Sequence, residues 1–182
     1  VNPAETFVVA TAAAREAQDG PDFITRVREE TGFNVRVLSG EEEAHYAAVG
    51  VLAGAPDATG VVGDLGGASL ELVHLSDTGA GRGVTLPLGP FSLAGPGGTA
   101  NGFDADRVRR LAQERLSAVA ADFRTDTFHA VGGAWRNLAL LHMRMSGYPL
   151  HVVHQYEITA GEALEAARLV AHQSKSSLER IE

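Results

Sequence analysis

Gly60-Val-Val-Gly-Asp-Leu-Gly-Gly-Ala-Ser-Leu-Glu-Leu-Val73 decides how the rest of this chain is read. A short apolar run, Val61 and Val62, leads to Asp64; Gly66 and Gly67 turn the backbone, and Leu70-Glu-Leu-Val73 resumes an extended pattern. The stretch predicts two strands joined by a tight glycine turn with one carboxylate beside it. Glycines let backbone N–H groups approach a ligand that a Cβ would hold off, and consecutive N–H groups suit phosphate oxygens. Asp64, at the end of its strand, is placed to hold a metal ion or a metal-bound water beside those oxygens. An ordinary hairpin with an acidic tip has the same pattern, and the turn alone does not separate the two readings.

Composition narrows the surroundings. A chain of 182 residues suffices for one sizeable core or two small lobes. No apolar run approaches the roughly 20 residues of a membrane span. Val1-Asn-Pro-Ala-Glu5 has neither basic residues nor an apolar signal segment, so no membrane partner is expected. Cysteine is absent, which removes disulfides and thiol chemistry and fits a cytoplasmic setting. With 15 Lys plus Arg against 23 Asp plus Glu, the net charge of −8 argues against broad nucleic-acid binding. A polyanionic substrate then needs a local cluster of N–H groups, Arg or metal.

Before the hairpin, Thr6-Phe-Val-Val-Ala10 reads as a buried strand, followed by a small-residue segment to Arg15. Pro21 opens a helix with an apolar stripe through Phe23, Ile24 and Val27, closed by Gly32. Asn34-Val-Arg-Val-Leu38 alternates like a strand and delivers Ser39. A helix is expected from Ser39 to about Ala53, packing through Ala44, Ala47, Ala48 and Val51, with a loop at Gly54-Ala-Pro-Asp57.

After the hairpin, Gly83–Leu88 adds a third strand and Gly95–Gly102 a loop. Asp104 or Asp106 caps a long helix with the stripe Val108, Leu111, Leu116, Val119 and Phe123. Thr127–Val131 is a strand entering Gly132-Gly133, with a helix from about Trp135 to Met145. Leu150-His-Val-Val153 reads as a short strand, and Thr159 with Glu162 as a capping box for a last helix to about His172. Ser174–Glu182 reads as the start of an unfinished element. Strands and helices alternate on both sides of residue 54, an α/β architecture with mixed sheets in two lobes.

Several residues suit phosphate chemistry. Ser39 and Glu42 have capping-box spacing, which assigns Glu42 to the helix start. Glu43 is left over in the same turn, where a helix N-terminus favours a carboxylate and where a base acting on water belongs. Acidic residues are common in any first helical turn, so the position alone is weak. Arg15 offers a planar fork for phosphate, although an Arg on a helix is usually just solvated. Gly132-Gly133 lies where phosphates meet a helix N-terminus, and close strand–helix packing explains it equally. Trp135 suits the core. His151 and His154 point to opposite faces and make a poor metal pair.

The order of these signals resembles the exopolyphosphatase / guanosine pentaphosphate phosphohydrolase (Ppx/GppA) family of the actin-like, sugar-kinase and heat-shock ATPase superfamily. The matching stretches are Ala10–Ala17, Val37–Ala44, Val62–Leu72, Leu86–Gly89 and Ala130–Arg136. The resemblance implies actin-like (ribonuclease H-like) lobes, the end of a first lobe at 1–54 and most of a second at 55–182. It implies that Glu43 is the catalytic base and that Asp64 is catalytic beside Mg²⁺. Gly66, Gly67, Ala68 and Ser69 would form a phosphate-binding loop together with Arg15, supported by Glu71, Gly132 and Gly133. Ala68 and Leu70 stand where the family more often has Gly and Thr. The family's earlier Asp-x-Gly-Ser-Asn-Ser type loop and its helical C-terminal extensions have no counterpart in these residues, so the chain reads as a fragment with little turnover of its own. Expected substrates are polyphosphate or guanosine pentaphosphate, hydrolysed at the terminal phosphate. A guanosine tetraphosphate-binding sensor is the alternative, and a homodimer is entertained for the intact protein.

Overall fold

The computed structural model of the chain describes residues 3–94 and 104–173. The expected loop at Gly95–Gly102 and the expected unfinished element at Ser174–Glu182 lie outside them.

Two short parallel strands, β1 (Val8–Ala10) and β2 (Val35–Val37), pair Val8 with Val35 and Ala10 with Val37. Between them run α1 (Ala12–Glu16) and α2 (Gly20–Thr31). Pro21 sits in the first turn of α2, and Gly32 closes that helix in the left-handed conformation at φ 76°, its N–H donating to Arg28 O. The strand expected over Thr6–Ala10 is shorter and less buried than its apolar run suggests. Phe7 and Val9 are exposed. A pair of three-residue strands has too little surface to cover both of its own faces.

α3 (Gly40–Gly54) follows from Ser39 as expected. It lies across one face of a second sheet of four strands, β3 (Gly60–Leu65), β4 (Leu70–Ser76), β5 (Gly79–Leu86) and β6 (Phe128–Val131), in the order β5-β4-β3-β6. β3–β4–β5 is an antiparallel meander, and β6 returns parallel to β3. That makes the sheet mixed, as the sequence predicts.

Both faces of this sheet are covered, which is why Leu70 to Val73 is buried without alternation. On the α3 face, Ala44 and Ala48 pack on Val62, Val73 and Leu75. On the other face, Val61, Leu70, Leu72, Leu88 and Leu93 are joined by Val108, Leu111 and Phe123. Val61, Val62 and Val73 are each 1% exposed or less, and burial of one such side chain stabilises the fold by roughly 1.5–3 kcal/mol.

The second face is supplied by α4 (Pro90–Ala94), a short helix absent from the sequence reading, and α5 (Ala105–Ser117). Asp104 caps α5, accepting from Arg107 N. The long helix expected to reach Phe123 stops at Ser117, and residues 118–123 form turns. From these turns Phe123 stacks on His74 at 5.0 Å, and His74 Nε2 bonds Asp122 O. Those links tie the segment to β4 instead of extending α5.

The chain divides into two compact units, 1–131 and 132–182. The second contains α6 (Gly133–Met145) and α7 (Ala160–Ala171), which pack together, with Met143 and Ala166 fully buried. Thr159 and Glu162 form the expected capping box. The strand expected at Leu150–Val153 does not form. These residues make no ladder, and Leu150 and Val152 are mostly exposed, because no described strand offers them a partner edge. Among the described residues no helix is long and apolar enough to cross a membrane.

Candidate active site

The start of α3 sorts its three glutamates by role. Ser39 Oγ accepts from Glu42 N at 3.2 Å, and Ser39 N donates to Glu42 Oε2 at 2.9 Å. Arg36 takes the other oxygen of Glu42. The Ser39 backbone bond and then the Arg36 guanidinium hold the Glu42 carboxyl below the usual range. Glu42 is therefore spent on the helix cap. Glu43 comes one residue and about 100° further round the helix and turns inward.

Glu43 Oε1 accepts from Ala12 N at 3.0 Å, and Oε2 lies 3.2 Å from Arg15 Nη1. The Glu43 side chain is only 10% exposed and that of Arg15 25%. Arg15 Nη1 also donates to Leu38 O at 2.6 Å, and Nη2 reaches Glu16 Oε1 at 3.4 Å. Ends of α1, β2 and α3 thus converge on one carboxylate.

The hairpin brings two more. Asp64 and Glu71 are directly opposite in the β3–β4 register. They share a face with Val62 and Val73, the face that α3 covers. Glu71 is 4% exposed, and its Oε1 has no partner among the described residues. Burial pushes the Glu71 carboxyl up to about 7; the charges of Glu43 and Asp64 add to this, while Ser69 and Arg15 oppose it. Burial, and then the charge of Glu43, raises Asp64 as well. Glu71 therefore lies within reach of the charges of Glu43, Asp64 and Arg15, and Asp64 within reach of that of Glu43, at one end of the sheet.

Beyond Leu65 and Leu70 the turn closes with Gly66 N donating to Ser69 O at 2.9 Å. A strap from residues 89–92 fixes the turn from behind. Gly89 N donates to Ala68 O at 3.0 Å, Phe91 N to Gly67 O at 2.9 Å, and Ser92 Oγ to Ala68 O at 2.6 Å. A Cβ on Gly89 would stand 2.4 Å from Ala68 N, so only glycine permits this approach. With the carbonyls of Gly67 and Ala68 committed to the strap, the N–H groups of Gly67, Ala68 and Ser69 donate to no protein acceptor among the described residues. Leu70, where the family more often has Thr, packs in the core with Leu88 and Leu93.

The structure thus gathers Glu43, Asp64, Glu71 and Arg15, with the Gly66–Ser69 turn directly continuing the strands that carry Asp64 and Glu71. Gly132 and Gly133 belong to the second compact unit. Gly132, at φ 109°, immediately follows Val131, the residue paired with Asp64, and precedes α6. A groove of about 800 Å³ borders the site, reaching it at Arg15, Ser39 and Gly40 and running past Arg82 and Thr85 to His74 and Phe123. It includes neither Asp64 nor the turn. Sequence reasoning missed the Ala12 N–H, the Leu38 carbonyl and the strap; of these, only Leu86-Pro-Leu-Gly89 had a visible signal.

The whole chain, residues 1–182, matches the Ppx/GppA phosphatase family. A PPX-GPPA enzyme from Aquifex aeolicus superposes with a TM-score of 0.73 at 25% identity, over 96% of this chain and 59% of that one. An exopolyphosphatase from Cytophaga hutchinsonii shares the fold with a TM-score of 0.74 at 17% identity, over 94% of this chain and 58% of that one. A further crystal structure, of the Aquifex aeolicus family member, aligns at 27% identity over 79% of this chain and 47% of that one, TM-score 0.56. The chain therefore spans about three fifths of the length of the first two. With its mixed α/β architecture, it belongs to the Ppx/GppA phosphatase family.

Proposed function

We propose that the full-length protein hydrolyses a phosphoanhydride, releasing the terminal phosphate of polyphosphate or of guanosine pentaphosphate. One observation carries this reading: an inward carboxylate, Glu43, shares its electrostatic surroundings with a hairpin whose three successive N–H groups have no protein acceptor among the described residues. A row of such donors suits phosphoryl oxygens.

In this reading Glu43 takes a proton from water. The water oxygen bonds to the terminal phosphorus while the bond from phosphorus to the bridging oxygen breaks, and the electron pair leaves on the shortened chain. The N–H groups of Gly67, Ala68 and Ser69 donate to the phosphoryl oxygens and hold them in line. Glu71, buried behind them, supports the turn and Asp64. Gly132 and Gly133 are assigned a supporting part at the head of α6.

Mg²⁺ enters this reading through a single carboxylate, since no group of three or more His, Asp or Glu among the described residues is placed to hold a metal ion. Mg²⁺ commonly takes one or two carboxylates and completes its shell with water and substrate phosphate. Asp64 would hold it, and when bound the ion supplies positive charge against the phosphoryl oxygens. The lobe division at 54/55, a cytoplasmic setting and a homodimer of the intact protein complete the proposal.

The test is phosphate release by the full-length protein from polyphosphate and from guanosine pentaphosphate, with Mg²⁺ and with EDTA. Mg²⁺-dependent release from either substrate is the expected result. Tight guanosine tetraphosphate binding with no release from either over hours would replace the hydrolase with the sensor.

A further inference from the structure

Arg15 matches a family Arg expected to grip phosphate, yet its guanidinium is already engaged. Nη1 bonds Leu38 O at 2.6 Å and faces Glu43 Oε2 at 3.2 Å. The other Glu43 oxygen is taken by Ala12 N–H. A general base needs a free lone pair within hydrogen-bond reach of its water. Ala12 N–H takes one lone pair of Oε1, and the ion pair with Arg15 sets a cation against Oε2, where an attacking water would have to compete with it.

The two contacts differ in how they can be released. The Ala12 N–H is main chain at the first residue of α1 and moves only with the backbone of that helix. The guanidinium ends a flexible side chain, is a quarter exposed and lines the open groove. Its bond to Leu38 O gives it a pivot. A phosphoryl group carries more charge than one carboxylate oxygen and matches the planar fork with two parallel bonds. The guanidinium is therefore the contact a substrate can draw off.

Building on the hydrolase reading, we propose that Arg15 is a latch on the base: it holds Glu43 Oε2 in the free protein and turns to the incoming terminal phosphoryl group. The exchange clears the cation from Oε2, so that the attacking water meets this oxygen without competition, while Ala12 N–H keeps the carboxylate aimed. Base and substrate compete for one cation, so Arg15 is a positioning residue before it is a phosphate ligand. Coupling the two steps ties the clearing of Oε2 to the arrival of a phosphoryl group.

Competition of this kind shows in binding, independent of turnover. Calorimetric titration of the full-length protein with Mg²⁺–imidotriphosphate, a non-hydrolysable probe, is compared for wild type, Glu43→Gln, Arg15→Gln and the double variant. Removing the Glu43 charge releases the latch and tightens binding about threefold or more, whereas with Arg15 already replaced the same change alters it less than about twofold. Equal tightening in both backgrounds would mean simple charge repulsion and would overturn the latch, as would no tightening in either. If Arg15→Gln does not fold, Arg15→Met replaces it, keeping the length but not the charge, and the same drop in coupling is expected. A protein that binds the probe with this coupling but releases no phosphate from polyphosphate or guanosine pentaphosphate would keep the latch and lose the hydrolase reading. Absence of any probe binding by the wild type would overturn both.

Discussion

Ala12 N–H donates to Glu43 Oε1 at 3.0 Å, a bond between residues 31 apart that pins the first turn of α3 to the first residue of α1. Glu43→Gln keeps an oxygen for this bond and removes the base. The variant should fold normally and lose on the order of 10²-fold or more in phosphate release by the full-length protein. Steady-state release at saturating substrate measures it. A loss below about threefold would place the base elsewhere.

Glu71 gives the fold a pH dependence whose sign follows from its burial. Its carboxyl lies at about 7 in the folded state against an ordinary 4.5. Between those values the folded protein holds a proton that the unfolded chain has released, so stability falls as pH rises through the window. At ~1.4 kcal/mol for each pH unit, the full effect approaches about 3 kcal/mol above pH 7. Glu71→Gln, measured by urea unfolding in EDTA buffer, should therefore be more stable than wild type at pH 8. The advantage should vanish near pH 4. An equal difference at both pH values would contradict the assignment.

Ser39→Ala removes the hydroxyl that accepts Glu42 N. Loss of such a cap costs about 1 kcal/mol, read as a lower urea midpoint. Because the capped turn also carries Glu43, phosphate release should drop with little change in KM. A stability loss without any change in turnover would separate the cap from the placement of the base.

Gly89→Ala tests the strap. The new methyl would stand 2.4 Å from Ala68 N, and the neighbour is main chain, so the turn or the strap must shift. The expected destabilisation is about 1–3 kcal/mol, with a higher KM because the Gly67–Ser69 amides lose their fixed direction. Thermal unfolding and phosphate-release kinetics measure the two effects. Wild-type values in both would mean that the strap does not hold the turn.

Local chemistry made much of this legible. The hairpin, the capping boxes at Ser39 and Thr159, and Gly32 as a helix stop each lie within a few neighbouring residues, and residue type alone signals them. The separation of Glu42 from Glu43 was also readable, since capping spacing claims only one glutamate. Partners made of backbone were not readable. Ala12 N–H and Leu38 O carry no code in their side chains, so the occupation of Glu43 and Arg15 emerged only with the fold. Apolar pattern misled where a partner edge was lacking, as at Leu150–Val153, or where ring stacking took over, as at Phe123 on His74. The pairing of Asp64 with Glu71 follows from hairpin symmetry, but the near-complete burial of Glu71 depends on what covers that face of the sheet.

In the proposed reaction the hairpin amides grip a phosphoryl group opposite Glu43. Amide-resolved NMR of the full-length protein, titrated with Mg²⁺–imidotriphosphate, tests this directly. The predicted result is that the N–H signals of Gly67, Ala68 and Ser69 move most and saturate with the binding curve. Saturated binding that leaves those three signals in place and moves others would contradict it.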